Sequence, residues 1–148
     1  MIQTNKVGNV ISLYITAAKS KLPLQQKELE VDERGILLDK HYDKDINRSV
    51  LIASTDSYDL AQAHDIKITK SALGENLLID YNPYSLSIGT KLQIGTAVLA
   101  ISQNCTLCSH LSAIDKRVPK LLKHDRGIFA RVIEPGRIKE GDAICLLA

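Results

Sequence analysis

Two cysteines stand three residues apart in the run Cys105-Thr106-Leu107-Cys108-Ser109-His110. Thiolates are nucleophiles and soft metal ligands, so the spacing points to covalent sulfur or redox work, or to metal binding. The run follows an apolar stretch, Ala97-Val98-Leu99-Ala100-Ile101, that reads as a buried strand, and it precedes a helix-like segment. A tetrahedral zinc site needs a second cysteine pair or a spaced histidine pair; the chain offers His110 nearby and Cys145 far along. A redox dithiol needs the pair at a helix N-terminus within a βαβ setting, and only the first condition is met. The same two residues also suit a plainer role as small buried apolar side chains.

Three further clusters carry polar chemistry. Arg126 and Arg131 flank Gly127 at a strand start, where guanidinium groups can clamp an oxyanion by paired hydrogen bonds or simply charge the surface. Gly74-Glu75-Asn76-Leu77 puts a carboxylate and an amide on a loop, suited to ligand contact or to a self-satisfied turn. Asp39-Lys40-His41-Tyr42, with Arg48 beyond it, follows Gly35; His41 there can move a proton near neutral pH or sit solvated. His64 and His124 read as ordinary helix-end residues.

The elements that must position these groups are mostly short strands. Ile11, Leu13 and Ile15 alternate within residues 10–16, the pattern of a half-buried strand with those three on one face. Strands are also expected at 27–31, 49–53, 77–79, 92–94, 97–101, 128–133 and 143–147. Ser54 or Thr55 can cap a helix running to His64. Ser109 to His124 is the best further helical candidate, divided by Pro119, with Gly127 suiting a helix C-terminus. Many short strands with few helices favour a mainly β protein, a barrel or sandwich, over a doubly wound α/β fold.

Composition narrows the function classes. The 148 residues fit one domain, spanning 1–148, with a single core. A net charge of +2 with interspersed signs argues against nucleic acid and membrane-surface partners. No apolar run approaches the roughly 18 residues that span a bilayer, and the N-terminus lacks a signal-peptide core, so the expected location is cytoplasmic. Three cysteines are an odd number and argue against a complete disulfide framework.

In order along the chain, these pieces resemble the MOSC domain, the module at the C-terminus of molybdenum cofactor sulfurases. The family's Gly…Gly-Asp-x-His loop and following arginine are matched by Gly35, Asp39, His41 and Arg48, with Leu38 in place of the second glycine. Its Gly-Glu-Asn-Leu motif is Gly74-Glu75-Asn76-Leu77. Leu86, Gly89, Leu92, Ile94, Gly95, Ala97 and Leu99 meet the following leucine–glycine pattern. The family cysteine falls on Cys108, with Leu111 after it; Cys105 stands where the family has arginine and Leu107 where it has proline. Arg126, Gly127, Ala130, Val132, Gly136, Gly141 and Asp142 meet the closing pattern.

The resemblance implies a β-barrel of the pyruvate-kinase-barrel type with a few short helices. It also implies a molybdenum cofactor (molybdopterin) or a sulfur-carrier role, with no pyridoxal-phosphate desulfurase domain in this chain. Cys108 would be the working thiolate and molybdenum ligand, with Cys105 a second, weaker candidate ligand. Arg48, Arg126 and Arg131 would neutralise the pterin phosphate, and His41, Glu75 and Asn76 would line the pocket. If the chain reduces N-hydroxylated compounds, electrons must come from a reductase partner, since no flavin or nicotinamide fingerprint is present. Proteins of the molybdenum-cofactor pathway are the other expected partners. Two alternatives are a non-catalytic module for a small molecule or partner protein, and a Cys-x-x-Cys redox or zinc site.

Overall fold

The computed structural model describes residues 4–20, 22–105 and 115–147. A long first strand, β1 (Thr4–Ile15), is followed by β2 (Leu24–Gln26), β3 (Glu28–Asp32), β4 (Gly35–Ile36) and a 3-10 turn (Ile46–Arg48). Then come β5 (Val50–Ser54), α1 (Thr55–Ala63), β6 (Leu77–Ile79), β7 (Lys91–Ile94) and β8 (Ala97–Asn104). The described chain ends with α2 (Val118–Leu121), β9 (Ile128–Glu134), β10 (Gly136–Lys139) and β11 (Ala143–Leu147). Seven strands close into a barrel in the order β1-β11-β7-β8-β9-β5-β6 and back to β1, with β2 added alongside β1. The protein is mainly β, as its strand spacing indicates. Neighbouring barrel strands are antiparallel except β5 and β6, which α1 connects in parallel. β10, β3 and β4 form a second small sheet.

β1 closes the ring. Its first half pairs with β11, and Val10, Ser12 and Leu13 pair with β6. Between Val10 and Ser12, two steps of β1 oppose the single step from Ile79 to Leu78. Such a bulge reverses the in–out alternation of a strand. Val10, Leu13 and Ile15 therefore join the barrel core, while Ile11 packs with a separate outer cluster. This corrects the expected face of Ile11, Leu13 and Ile15, because a period-two reading cannot register an inserted residue. Ser12 and Tyr14 are buried as well, so the strand is covered on both faces.

The barrel core draws on every barrel strand and takes Leu29, Val31, Ile36 and Ile138 from the small sheet. Outside β5 and β6, Ala53 and Leu78 pack under α1, α2 and the chain between α1 and β6, through Ala61, Ile66, Leu73, Val118 and Leu122. Ser54 caps α1, its hydroxyl accepting from Asp56 N–H at 3.1 Å. Pro119 lies in the first turn of α2, where a missing N–H breaks no helical bond, so it opens that helix and does not divide a longer one. The expected helical stretch 109–114 lies outside the described residues. α2 ends at Leu121, with Leu122 as its cap, so Gly127 is not its C-terminus. A Cβ at Gly127 would come within 3.0 Å of Leu51 Cδ1 and 3.3 Å of Ile52 O, so glycine lets the chain lie against β5. No helix among the described residues is long and apolar enough to cross a membrane.

Gly136 shows how tightly the small sheet meets the barrel. A Cβ there would lie 2.6 Å from Thr96 C and 2.7 Å from Ala97 N, both backbone atoms that cannot swing aside. Gly136→Ala is expected to destabilise the protein by about 2 kcal/mol or more. Urea unfolding would show this as a lower midpoint at unchanged slope; an unchanged midpoint would contradict the close contact.

Candidate functional site

The outer surfaces of β5 and β9 meet where Leu51 pairs with Phe129. On both strands the flanking residues point into the core: Val50 and Ile52 on β5, Ile128 and Ala130 on β9. Leu51 and Phe129 therefore face outward, yet both are buried, in a small cluster with Cys105. Cys105 follows the end of β8, and its N–H donates to Gly127 O at 3.2 Å. Cys105 and Arg126 are thus held side by side.

Arg126 is only 3% exposed, and its Nη1 donates to Cys105 Sγ. Its Nε is buried without a partner. None of the ion pairs among the described residues reaches this guanidinium. A buried charge without a counter-charge costs several kcal/mol.

Arg48 and Arg131 lie on the same side of β9. Arg48 Cζ stands 5.0 Å over the centre of the Phe129 ring, a cation–π contact. Arg131 is exposed two residues beyond Phe129, between buried Ala130 and Val132. Of the three arginines expected at an anion site, Arg126 is buried and Arg48 and Arg131 are exposed.

His41 reaches this face through a polar chain. Its Nδ1 lies 3.2 Å from Asp39 Oδ2. Asp39 Oδ1 accepts from Thr16 N–H at 2.9 Å and from Asn76 Nδ2 at 3.4 Å. Asn76 Nδ2 also donates to Tyr14 O at 3.2 Å, and its Oδ1 accepts from Leu51 N–H at 3.0 Å. Asn76 thus joins β1, β5 and the Asp39 loop, and both of its donor hydrogens are used inside the protein. Burial alone would raise the Asp39 carboxyl, but hydrogen bonds from His41 and Thr16 outweigh it and hold the group below its ordinary value. Leu38, just before Asp39, sits at φ +74°, a conformation uncommon for a branched residue.

Glu75 turns the other way, beneath α1. Its Oε2 accepts from Tyr58 OH at 2.6 Å and from Ser71 N–H at 3.1 Å, while Oε1 is buried without a partner. Burial pushes the Glu75 carboxyl above its ordinary value, against the lowering effect of the Tyr58 and backbone hydrogen bonds. The structure therefore brings Cys105 beside Arg126 and Arg48 over Phe129 of the same apolar cluster, and links His41 through Asp39 and Asn76 to the Leu51 backbone; Arg131 lies further along β9 and Glu75 turns under α1. Cys108 and His110 lie outside the described residues. Cys145 lines a separate groove of about 480 Å³ with Gln93, Thr96, Arg137 and Lys139. Among the described residues, no three His, Cys, Asp or Glu side chains group as metal ligands.

Sequence reasoning missed the supporting residues. Leu51 and Phe129 form the floor, and only their cross-strand pairing reveals it. Tyr58 and Ser71 hold Glu75 without any local signal. Asp39 was legible from its Asp-x-His spacing but not as the link to Asn76.

A family model described as the MOSC domain matches residues 38–145. No curated protein matches the chain in sequence. Solved structures share its fold. The YuaD protein from Bacillus subtilis is 20% identical, aligned over 100% of this chain and 99% of that one, with a TM-score of 0.82. YiiM from Escherichia coli is 19% identical over 95% of this chain and 70% of its own, with a TM-score of 0.72. YiiM from Geobacillus stearothermophilus is 18% identical over 99% and 76%, with a TM-score of 0.67.

Glu75 gives a pH test. A carboxyl raised in the folded state favours folding most fully below its unfolded pKa of about 4.3, and that contribution is lost as pH rises through the folded value. Glu75→Gln does not titrate. Its stability relative to the parent is therefore expected to improve steadily as pH rises from that acid limit towards neutrality, read from urea midpoints. A stability difference independent of pH would contradict the buried, part-satisfied carboxyl.

Proposed function

Because the chain belongs to the MOSC domain family, we propose that it binds a molybdenum cofactor or handles activated sulfur on the outer face of β5 and β9. The observation that carries this reading is Arg126: a guanidinium 3% exposed, with a buried, unpartnered Nε. The donor set fits an anionic, sulfur-bearing group. Arg126 would take the phosphate of the pterin, and Arg48 and Arg131 would add positive charge at the rim. Cys108 would be the thiolate that ligates the metal or carries sulfur, a role that rests on the family motif. When bound, the cofactor supplies a metal centre able to exchange electrons and oxygen or sulfur atoms.

The chain's own residues would prepare the site. Asp39 holds Nδ1 of His41, leaving Nε2 as the ring nitrogen available for proton exchange. Arg126 is 3% exposed and held against Cys105 of the Leu51–Phe129 cluster, so its charge would be weakly screened towards an incoming anion. Reduction of N-hydroxylated compounds would draw electrons from a separate reductase in the cytoplasm. Cys105 in place of the family arginine favours a second reading, a non-catalytic module for an anionic small molecule or partner protein.

The test is to purify the protein from cells that make molybdenum cofactor and to assay molybdenum and pterin. The expected result is stoichiometric molybdenum and pterin, abolished by Cys108→Ser. Arg126→Gln should lower pterin retention about tenfold or more, the value of one charged hydrogen bond. Absence of molybdenum, pterin and a persulfide on Cys108 would overturn this reading and leave the binding module.

A further inference from the structure

We propose that the cap formed by α2 and the chain just after α1 is a docking surface for an acidic protein. Its role as the place where a separate electron donor meets this chain rests on the proposed function. The segment Lys116-Arg117-Val118-Pro119-Lys120-Leu121-Leu122-Lys123-His124 carries four cations and no carboxylate. Val118 and Leu122 are four residues apart, so they share one side of the turn, and both are fully buried with Ile66 and Leu73. That side of the segment is fixed inward, and Lys116, Lys120 and Lys123 are left exposed.

The chain after α1 adds to the same surface. Arg117 Nη1 donates to His64 O at 3.1 Å and Nη2 to Asp115 Oδ2 at 2.9 Å, so Arg117 ties α2 to the end of α1 and its own charge is met. Lys67 and Lys70 follow Ile66, which belongs to the cluster of Val118 and Leu122, and both lysines are exposed. No ion pair among the described residues engages Lys67, Lys70, Lys116, Lys120 or Lys123. Asp56 and Asp59 stand on α1 before its His64 end. Residues 64–70 and 115–125 together hold six cations against three carboxylates, an excess of +3. The whole chain carries +2, so the rest of it carries −1 and the positive excess resides in this cap.

The chemistry of the surface selects the partner. Lysine ammonium groups are compact, strongly hydrated charges that steer an oppositely charged surface into place and lose that effect as salt rises. A lipid surface calls for an apolar anchor as well. Among the described residues the exposed large apolar side chains are Leu22, Leu24, Leu38, Ile46 and Ile88, all outside the cap. Single-stranded nucleic acid calls for aromatic rings to stack on, and residues 64–70 and 115–125 contain no Phe, Tyr or Trp. A protein face with clustered carboxylates matches both the charge and the lack of anchors. The placement suits an electron donor, because the chain entering α2 carries Cys108 and the chain leaving it reaches Arg126 five residues after Leu121.

The test titrates the full chain into a labelled poly-glutamate peptide at about 0.1 M ionic strength and reads fluorescence anisotropy. Lys116→Gln, Lys120→Gln and Lys123→Gln combined should weaken binding about tenfold, the value of three exposed ion pairs, with an unchanged urea midpoint. Lys27→Gln, Lys44→Gln and Lys91→Gln combined remove the same charge from exposed positions elsewhere and should weaken it by less than about twofold, since distant charges are screened. Carbodiimide coupling of the bound peptide, mapped by mass spectrometry, should mark Lys67, Lys70, Lys116, Lys120 and Lys123. Equal weakening by the two triple variants, or cross-links spread evenly over the lysines, would overturn the proposal. So would anionic vesicles or duplex DNA that bind more tightly than the peptide and are released by the cap variant. Molybdenum and pterin assays on the same preparations separate the two ideas. Cofactor without selective peptide binding sinks the docking surface alone. Selective binding without cofactor sinks the cofactor reading and leaves the surface.

Discussion

Closure of the barrel depends on β1, which is hydrogen-bonded to β11 on one edge and to β6 on the other. A single strand can serve both neighbours only if its inward residues stay in phase with each, and the bulge near Ile11 restores that phase. Closure then decides which side chains of the far strands face outward. Leu51 on β5 and Phe129 on β9 are paired by this geometry and are left outside the barrel. Asn76 locks the arrangement, because its amide bonds to Tyr14 of β1, to Leu51 of β5 and to Asp39.

The site sits where packing meets an unbalanced charge. Full burial of an aliphatic core side chain contributes about 1.5–3 kcal/mol, and the barrel core holds many of these. A buried guanidinium without a carboxylate opposes folding by several kcal/mol. The core can sustain that opposition, and an anion that enters would offset it. The polar chain from His41 to Asn76 differs in kind, since its members satisfy one another. It ties the Asp39 loop to β1 and β5 without leaving a charge unmet.

Much of the fold was legible because strands with strong apolar content fix their own boundaries. Leu77–Ile79 and Ala143–Leu147 fall where the apolar runs place them, and Ser54 caps α1 as its hydroxyl chemistry dictates. The strands at 24–26 and 35–36 were not legible, being too short to carry a period. The β1 bulge was hidden for a different reason: an inserted residue leaves composition unchanged and shows only in the partner strand's register. At the site, ordered motifs located Arg126, Asn76 and His41. They could not show that Arg126 would be buried and turned towards Cys105, which depends on the antiparallel pairing of β8 and β9. Nor could they show that Glu75 would leave its neighbour Asn76 and pack under α1, because adjacent residues of an extended segment point to opposite sides.

The central claim is that Arg126 is a buried cation awaiting an anion. The most direct measurement follows the Nε–H signal of Arg126 by nitrogen-15 NMR while sulfate is titrated into the folded protein. The account predicts a saturable shift of that one arginine signal, at sulfate concentrations where equal ionic strength from chloride leaves it in place. An Arg126 signal that stays fixed while the exposed arginines respond, or that moves only with ionic strength, would contradict it.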